Sequence, residues 1–364
     1  MRVMMVLCEL IDGGAEVTAL RLVRALGPKH QFTVAAIKPG GPLRDAFAQA
    51  GAAVFDGLAK WRFDPVGPFR VARLVRSRDI EAVVVVDVPR NAMFHGLAGA
   101  ALSCRRPAKV CWCKSIPGGQ SGRFVPELRA YRKLGWLDWT VCTSQHQLRT
   151  LAQAGLSAER TSVIYNGVEP CPTGAHEARA PRVAGKTAIV HVANVMPDKD
   201  FDTLLAAARC LADSRDDFEL LLVGRGTDGP GLAGRIAEAG LEGIVTPLGR
   251  RGDVREILAG AELFVLSTHS EVCSVATLEA MSAGLAVVVS DVSGFEETFT
   301  QGCEGLKVRA GDAGAMAEAL AGLLDDPAAR ARMGQAGRRR AEDFSLSRMA
   351  DEFDCLLQDL RKRR

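Results

Sequence analysis

The sequence predicts an α/β protein of two doubly wound parallel-sheet domains facing a cleft, and three observations carry that prediction. Short β-rich apolar runs alternate with longer helical patterns along the chain. The predicted strands are apolar throughout instead of alternating, as strands covered by helices on both faces are. The alternation breaks once, at a stretch rich in proline and glycine, and then starts again. A length of 364 residues also exceeds one ordinary domain.

In the first half, residues 2–8, 32–37, 81–86 and 109–113 read as strands, and residues 15–26 and 91–102 are among the covering helices. Pro170, Pro172, Gly174, Pro181 and Gly185 then accumulate without periodicity, the composition of a linker. The second alternation runs through strand 187–193, helix 201–213, strand 218–223, helix 230–239 and strands 262–267 and 286–290. The resulting division is a first Rossmann-like domain over 1–172, a linker over 173–186 and a second Rossmann-like domain over 187–344. In the last segment Met349, Phe353, Leu356, Leu357 and Leu360 fall at helical spacing, so 345–364 is expected as an add-on helix behind the second domain. Ligands of open α/β sheets bind outside the carboxyl ends of the strands, which is where the chemistry is sought.

Composition narrows the classes. Hydrophobic residues make up 48% and charged residues 24%, the profile of a globular cytoplasmic protein. The apolar N-terminal run 3–10 is too short to span a bilayer and lacks a small-residue cleavage site. The ten cysteines are scattered without framework spacing and read as reduced core residues; Cys111 and Cys113 have no second pair beside them in the sequence to complete a zinc site. A net charge of +3 argues against nucleic acid as a partner. Basic clusters at Arg70, Arg73, Arg76 and Arg78, and at Arg129, Arg132 and Lys133, are either solvated helix faces or a contact with anionic membrane.

Four segments have the residue types of a phosphate and sugar site. Gly13 and Gly14 follow the first strand and open a helix, where bare backbone amides can approach an anion. Gly224, Gly226 and Gly229 satisfy the dinucleotide-binding pattern, but the next strand ends in Arg250 and Arg251 where that pattern wants an acidic residue for a ribose. Glu271 and Glu279 stand eight apart across the start of a helix, too far to share a proton but placed to line one pocket, where each carboxylate can accept two hydrogen bonds from a diol. The amides of Ser274, Val275 and Ala276 between them can receive a diphosphate. Lys199, in the loop opening the second domain, is the candidate cation for a diphosphate leaving group.

In order along the chain, these segments, together with residues 163–168 (Val-Ile-Tyr-Asn-Gly-Val), resemble the retaining glycosyltransferases of the GT-B fold, specifically glycosyltransferase family 4, group 1. The resemblance covers nearly the whole chain. It implies a hexosyltransferase of cell-envelope or exopolysaccharide biosynthesis that uses a nucleotide-diphosphate sugar such as a UDP-sugar, with no cofactor and no divalent metal. It implies that Glu279 binds the donor ribose, Glu271 contacts the transferred sugar and Lys199 stabilises the diphosphate, with Gly13 and Gly14 on the other domain. Residues 248–253, Arg250 included, would lie beside the base. Two positions depart from the family pattern. Asn194 stands where many members have an arginine, so either diphosphate binding leans harder on Lys199 or another cation such as Arg225 contributes, and Lys114 stands where many have a histidine on the acceptor side. The acceptor is expected to be a saccharide, a lipid-linked saccharide or a small molecule bound by the first domain, whose loop 117–123 is the least interpretable. Competing readings are a nucleotide-sugar epimerase on the same fold, a non-catalytic sugar-nucleotide-binding protein and an NADP oxidoreductase.

Overall fold

The computed structural model describes residues 1–86, 90–114, 124–171 and 185–363. Every strand pairing among them is parallel, and the strands form two sheets, each in its own unit. The first sheet comprises β1 (Arg2–Leu7), β2 (Gln31–Ala36), β3 (Ala53–Phe55), β4 (Ala82–Val86), β5 (Ala108–Trp112), β6 (Trp139–Cys142) and β7 (Thr161–Val163), in the order β3-β2-β1-β4-β5-β6-β7. The second comprises β8 (Thr187–Val192), β9 (Phe218–Val223), β10 (Val245–Gly249), β11 (Leu263–Leu266), β12 (Ala286–Ser290) and β13 (Gly305–Val308), in the order β10-β9-β8-β11-β12-β13.

The all-apolar strands are explained by burial on both faces. In β1, Val3, Met5 and Leu7 enter one core cluster and Met4 and Val6 the opposite one; in β9, Leu220 and Leu222 divide from Leu221 and Val223 in the same way. Strand order reverses between β1 and β4 in the first sheet and between β8 and β11 in the second. At such a reversal the loops leaving the two central strands turn toward opposite faces and open a crevice at the carboxyl edge. Edge strands β3 and β7 are three residues long, too short to be read from periodicity.

The terminal helix departs from the sequence reading. Instead of trailing the second domain, helix Leu346–Lys362 belongs to the first unit, which joins Met1–Gly167 with the chain from Leu346 onward; the second unit is Val168–Ser345. The apolar stripe supplies the reason. Met349, Phe353, Leu356, Leu357 and Leu360 are buried in the same core as Val3, Leu22 and Trp112, so the helix covers a face of the first sheet that its own half of the chain leaves bare. Phe353 meets the Trp112 ring edge-on at 4.5 Å between centroids. Asp354, also buried, accepts from Lys29 at 3.0 Å and pairs with His30 at 2.8 Å. Most of the predicted linker, residues 173–186, lies outside the described residues. Among the described residues no helix is long and apolar enough to cross a membrane, and all ten cysteines are free.

Because Phe353 is 1% exposed and packs on a buried tryptophan, Phe353→Ala is expected to lower the stability of the first unit by about 3 to 5 kcal/mol. In urea unfolding followed by fluorescence, which reports the first unit because all four tryptophans and both tyrosines lie in it, the transition moves to lower urea by the corresponding amount.

Candidate active site

The crevice of the second sheet is built by two loops that lace together. Residues 193–200 leave β8 and lead to helix Phe201–Ala212; residues 267–274 leave β11 and lead to helix Val275–Ala283. The Thr268 hydroxyl and the His269 amide both donate to the Asp198 carbonyl at 2.9 Å, and the Ser267 hydroxyl donates to the Asp200 carbonyl at 2.7 Å. Asp200 in turn caps the first helix, accepting from the Thr203 amide at 3.1 Å and the Thr203 hydroxyl at 2.6 Å. The backbone on both sides of Lys199 is thereby fixed, and its ammonium donates to the carboxylate of Glu271, 72 positions along the chain. With the two side chains 18% and 14% exposed, the pair is shielded from water yet reachable from the edge of the sheet.

Glu271 is held from behind by a residue that the sequence reading did not single out. Gly294, in the turn Ser293–Phe295 after β12, lies against the Glu271 backbone; a Cβ there would stand 2.4 Å from the Glu271 carbonyl oxygen. The signal for it was a glycine in the loop following the next strand, where a backbone has to approach closely.

Ser274 caps helix Val275–Ala283, its hydroxyl accepting from the Thr277 amide at 3.3 Å. The Val275 and Ala276 amides fall in the first turn, where an α-helix has no internal acceptor, and both residues are partly exposed while Thr277 is buried. The positive end of the helix thus emerges beside the Lys199–Glu271 pair. Glu279 stands in the next turn of the same helix, 9% exposed.

The loop after β9 completes this edge. Asn194, expected as a donor contact, uses its carboxamide oxygen to accept the Arg225 amide at 2.9 Å, and the Val195 amide returns a bond to the Arg225 carbonyl at 2.9 Å. Asn194 therefore positions the loop, and the exposed Arg225 side chain brings a second cation to the carboxyl edge. Gly224 is demanded by this lacing: its φ is +144°, and a Cβ would lie 2.0 Å from the Ala193 carbonyl oxygen. The glycine pattern that suggested a dinucleotide is accounted for by this turn. Arg250 is exposed at the end of β10, and its neighbour Arg251 is paired with Asp253 at 2.6 Å.

Under Lys199 lies His191 of β8, fully buried and edge-on to Phe201 at 4.9 Å, with neither ring nitrogen hydrogen-bonded among the described residues. Burial, reinforced by the charge of Lys199, pushes its pKa down to about 3, so the ring is neutral and sets no second positive charge near the ammonium.

In the first unit, Gly13 caps helix Gly14–Leu26 and the Glu16 carboxyl folds over it, so that a Cβ at Gly13 would stand 2.3 Å from Glu16 Oε2; around Gly14 the space is open. Lys114 donates to Asn166 Oδ1 at 2.5 Å and sits 3.6 Å above the Trp112 ring. Loop 117–123 lies outside the described residues.

Gly294→Ala forces the Glu271 loop to shift, and turnover measured with saturating donor falls about 100-fold, the scale of a 1 Å misplacement in a site. For His191 the unfolded ring titrates near 6.5 and the folded one near 3. The second unit accordingly keeps full stability above pH 6.5 and loses about 1.4 kcal/mol per pH unit below it, until the folded ring protonates. The slope of unfolding free energy against pH between 6.5 and 4 is flatter by that amount in His191→Leu.

Known proteins match over both units. The family model for glycosyl transferases group 1 matches residues 175–340, and that for Glycosyltransferase Family 4 matches residues 12–170. The chain is 28% identical over 304 residues to alpha-maltose-1-phosphate synthase of Mycobacterium tuberculosis, spanning 74% of this chain and 73% of that one. It is 27% identical over 318 residues to the GDP-mannose-dependent monoacylated alpha-(1-6)-phosphatidylinositol monomannoside mannosyltransferase of Corynebacterium glutamicum, spanning 81% and 80%. The crystal structure of Anabaena HepE in complex with UDP-glucose has the same fold, with a TM-score of 0.85 at 21% identity over 99% of this chain and 100% of that one. The chain belongs to the group 1, family 4 glycosyltransferases and has their GT-B fold of two Rossmann-like parallel-sheet domains.

Proposed function

We propose that the chain moves a hexose from a nucleotide-diphosphate sugar to a saccharide, a lipid-linked saccharide or a small-molecule acceptor, with retention of configuration and without a divalent metal, in the cytoplasm at the inner face of the membrane. The observation that carries this reading is the Lys199–Glu271 pair beside the N-terminus of helix Val275–Ala283, at the reversal of strand order. A cation, two first-turn amides and a helix dipole on two adjoining loops of one sheet edge suit a diphosphate. The exposed Arg225 adds charge at the same edge. Glu279 takes the ribose diol, and Glu271 takes hydroxyls of the hexose once Lys199 turns to the phosphates. Support comes also from the relatives, one named as GDP-mannose-dependent and one solved with UDP-glucose.

The chemistry is a front-face displacement. The bond from the anomeric carbon to the phosphate oxygen breaks, the acceptor oxygen bonds to the same face of that carbon, and the departing phosphate oxygen takes the acceptor proton. Lys199 and the helix amides stabilise the negative charge that grows on the diphosphate as the bond lengthens.

A thermal-shift and product-release screen of UDP-, GDP- and ADP-sugars in EDTA tests the reading. One donor is expected to stabilise the protein, by about 2.7 kcal/mol at a hundred times its Kd, and to release nucleotide. Glu279→Ala loses the shift, and Lys199→Ala keeps most of it while kcat drops about 100- to 1,000-fold. Inversion of the product by NMR, or a requirement for added metal, overturns the mechanism.

A further inference from the structure

Between β3 and the first turn of helix Gly67–Ser77 the first unit holds large apolar side chains out in solvent: Trp61, Phe63, Val66 and Phe69 are 61%, 49%, 48% and 62% exposed. Scattered apolar residues on a surface are ordinary, but four within nine positions, three of them aromatic, are a patch. The segment is a built turn. Asp64, 4% exposed, points inward and accepts from the Lys60 and Val66 amides at 2.9 Å each, and Arg70 donates to the Leu58 carbonyl at 3.0 Å. The Gly67 amide donates to the Asp64 carbonyl at 3.1 Å, and the His95 ring sits 3.2 Å from the Arg62 carbonyl. Phe63 lies edge-on to Phe94 with centroids 6.1 Å apart. The inner side of the turn thus consumes its polar groups and leaves the aromatic side chains outside.

Charge decides what meets them. Lys60, Arg62, Arg73, Arg76 and Arg78 are exposed around the patch, and the single acid from 57 to 78 is the inward Asp64. In helix Gly67–Ser77, Val71, Ala72 and Val75 face the core, whereas Phe69, Arg73 and Arg76 share the outer stripe. Of the basic residues that the sequence marked as a membrane contact, Arg70 is turned to the Leu58 carbonyl and Arg132 to the Thr140 and Thr161 hydroxyls, so the clusters as a whole do not face outward. Aromatic rings ringed by cations, with no outward acid, match an anionic bilayer surface: rings enter the headgroup boundary and the cations meet lipid phosphates.

We propose that Trp61, Phe63, Val66 and Phe69, flanked by Lys60, Arg62, Arg73 and Arg76, form a surface that docks the first unit on anionic lipid. The turn follows β3 on the same carboxyl edge of the sheet as the Gly13 turn after β1, so a docked unit has its ligand-binding edge near the lipid. This gives the membrane contact of the proposed function a defined surface, and testing it needs no turnover, so failure here is separable from failure of the donor chemistry.

The test is co-sedimentation of the full chain with vesicles of phosphatidylcholine alone and of phosphatidylcholine with about one third phosphatidylglycerol. The chain is expected to pellet with the anionic vesicles and to be released by salt. The Trp61→Ser, Phe69→Ser double variant partitions at least tenfold less with an unchanged melting temperature, and Arg73→Gln with Arg76→Gln weakens both binding and its salt dependence. Brominated lipid quenches the wild-type fluorescence more than that of Trp61→Phe. Failure to pellet with either vesicle overturns the proposal. So does a concentration-dependent dimer that the serine variant dissolves, which would make a second copy the occupant.

Discussion

The second unit depends on hydrogen bonds that bind the loop after β8 to the loop after β11. Ser267, Thr268 and His269 supply three donors to the carbonyls of Asp198 and Asp200, and Lys199 lies between those two carbonyls. A loop lysine is ordinarily a mobile, strongly hydrated charge. Here the backbone that carries it is immobilised before the ammonium meets Glu271, so little further ordering is required when an anion arrives. In the proposed reaction this is preorganisation of the backbone: only the lysine side chain has to turn from Glu271 to the phosphates.

The same edge shows how backbone contacts, more than side-chain chemistry, set the position of the Lys199–Glu271 pair. Gly224 passes so close to Ala193, and Gly294 so close to Glu271, that no side chain fits at either. Each glycine lets one loop seat against the next across the sheet, from β9 to β8 and from β12 to β11. Asn194 works to the same end, spending its carboxamide oxygen on the backbone of Arg225. An arginine at that position would bring a charge; the asparagine instead presents the loop that carries one.

The first unit is organised by burial. Its sheet needs a helix that the chain supplies only after the whole second unit has been built, and Asp354, on that helix, joins His30 and Lys29 across more than 300 positions of sequence. Burial raises the Asp354 pKa, but the hydrogen bonds from Lys29, Gln358 and His30 outweigh it and hold the carboxyl down at about 2. At the opposite extreme, the turn 60–66 spends its buried hydrogen bonds on keeping aromatic rings outside. Inward polar groups and outward apolar ones reverse the usual arrangement, and the inversion marks that turn as a surface for a partner.

Much of this was legible in the sequence. Fully apolar strands such as β4 and β9 announce sheets buried on both faces, and the ordered motifs around Gly13, Lys199, Gly224, Glu271 and Glu279 announce the family, because local spacing encodes strands, turns and helix starts. The stripe from Met349 to Leu360 declared a helix but not its partner, since periodicity records that a face is buried and not what buries it. Likewise the Lys199–Glu271 contact, the support of Glu271 by Gly294, the positioning role of Asn194 and the inward turn of Arg70 and Arg132 rest on atoms far apart in sequence. Those were decided only by the tertiary structure, which alone brings distant backbone groups within hydrogen-bonding range.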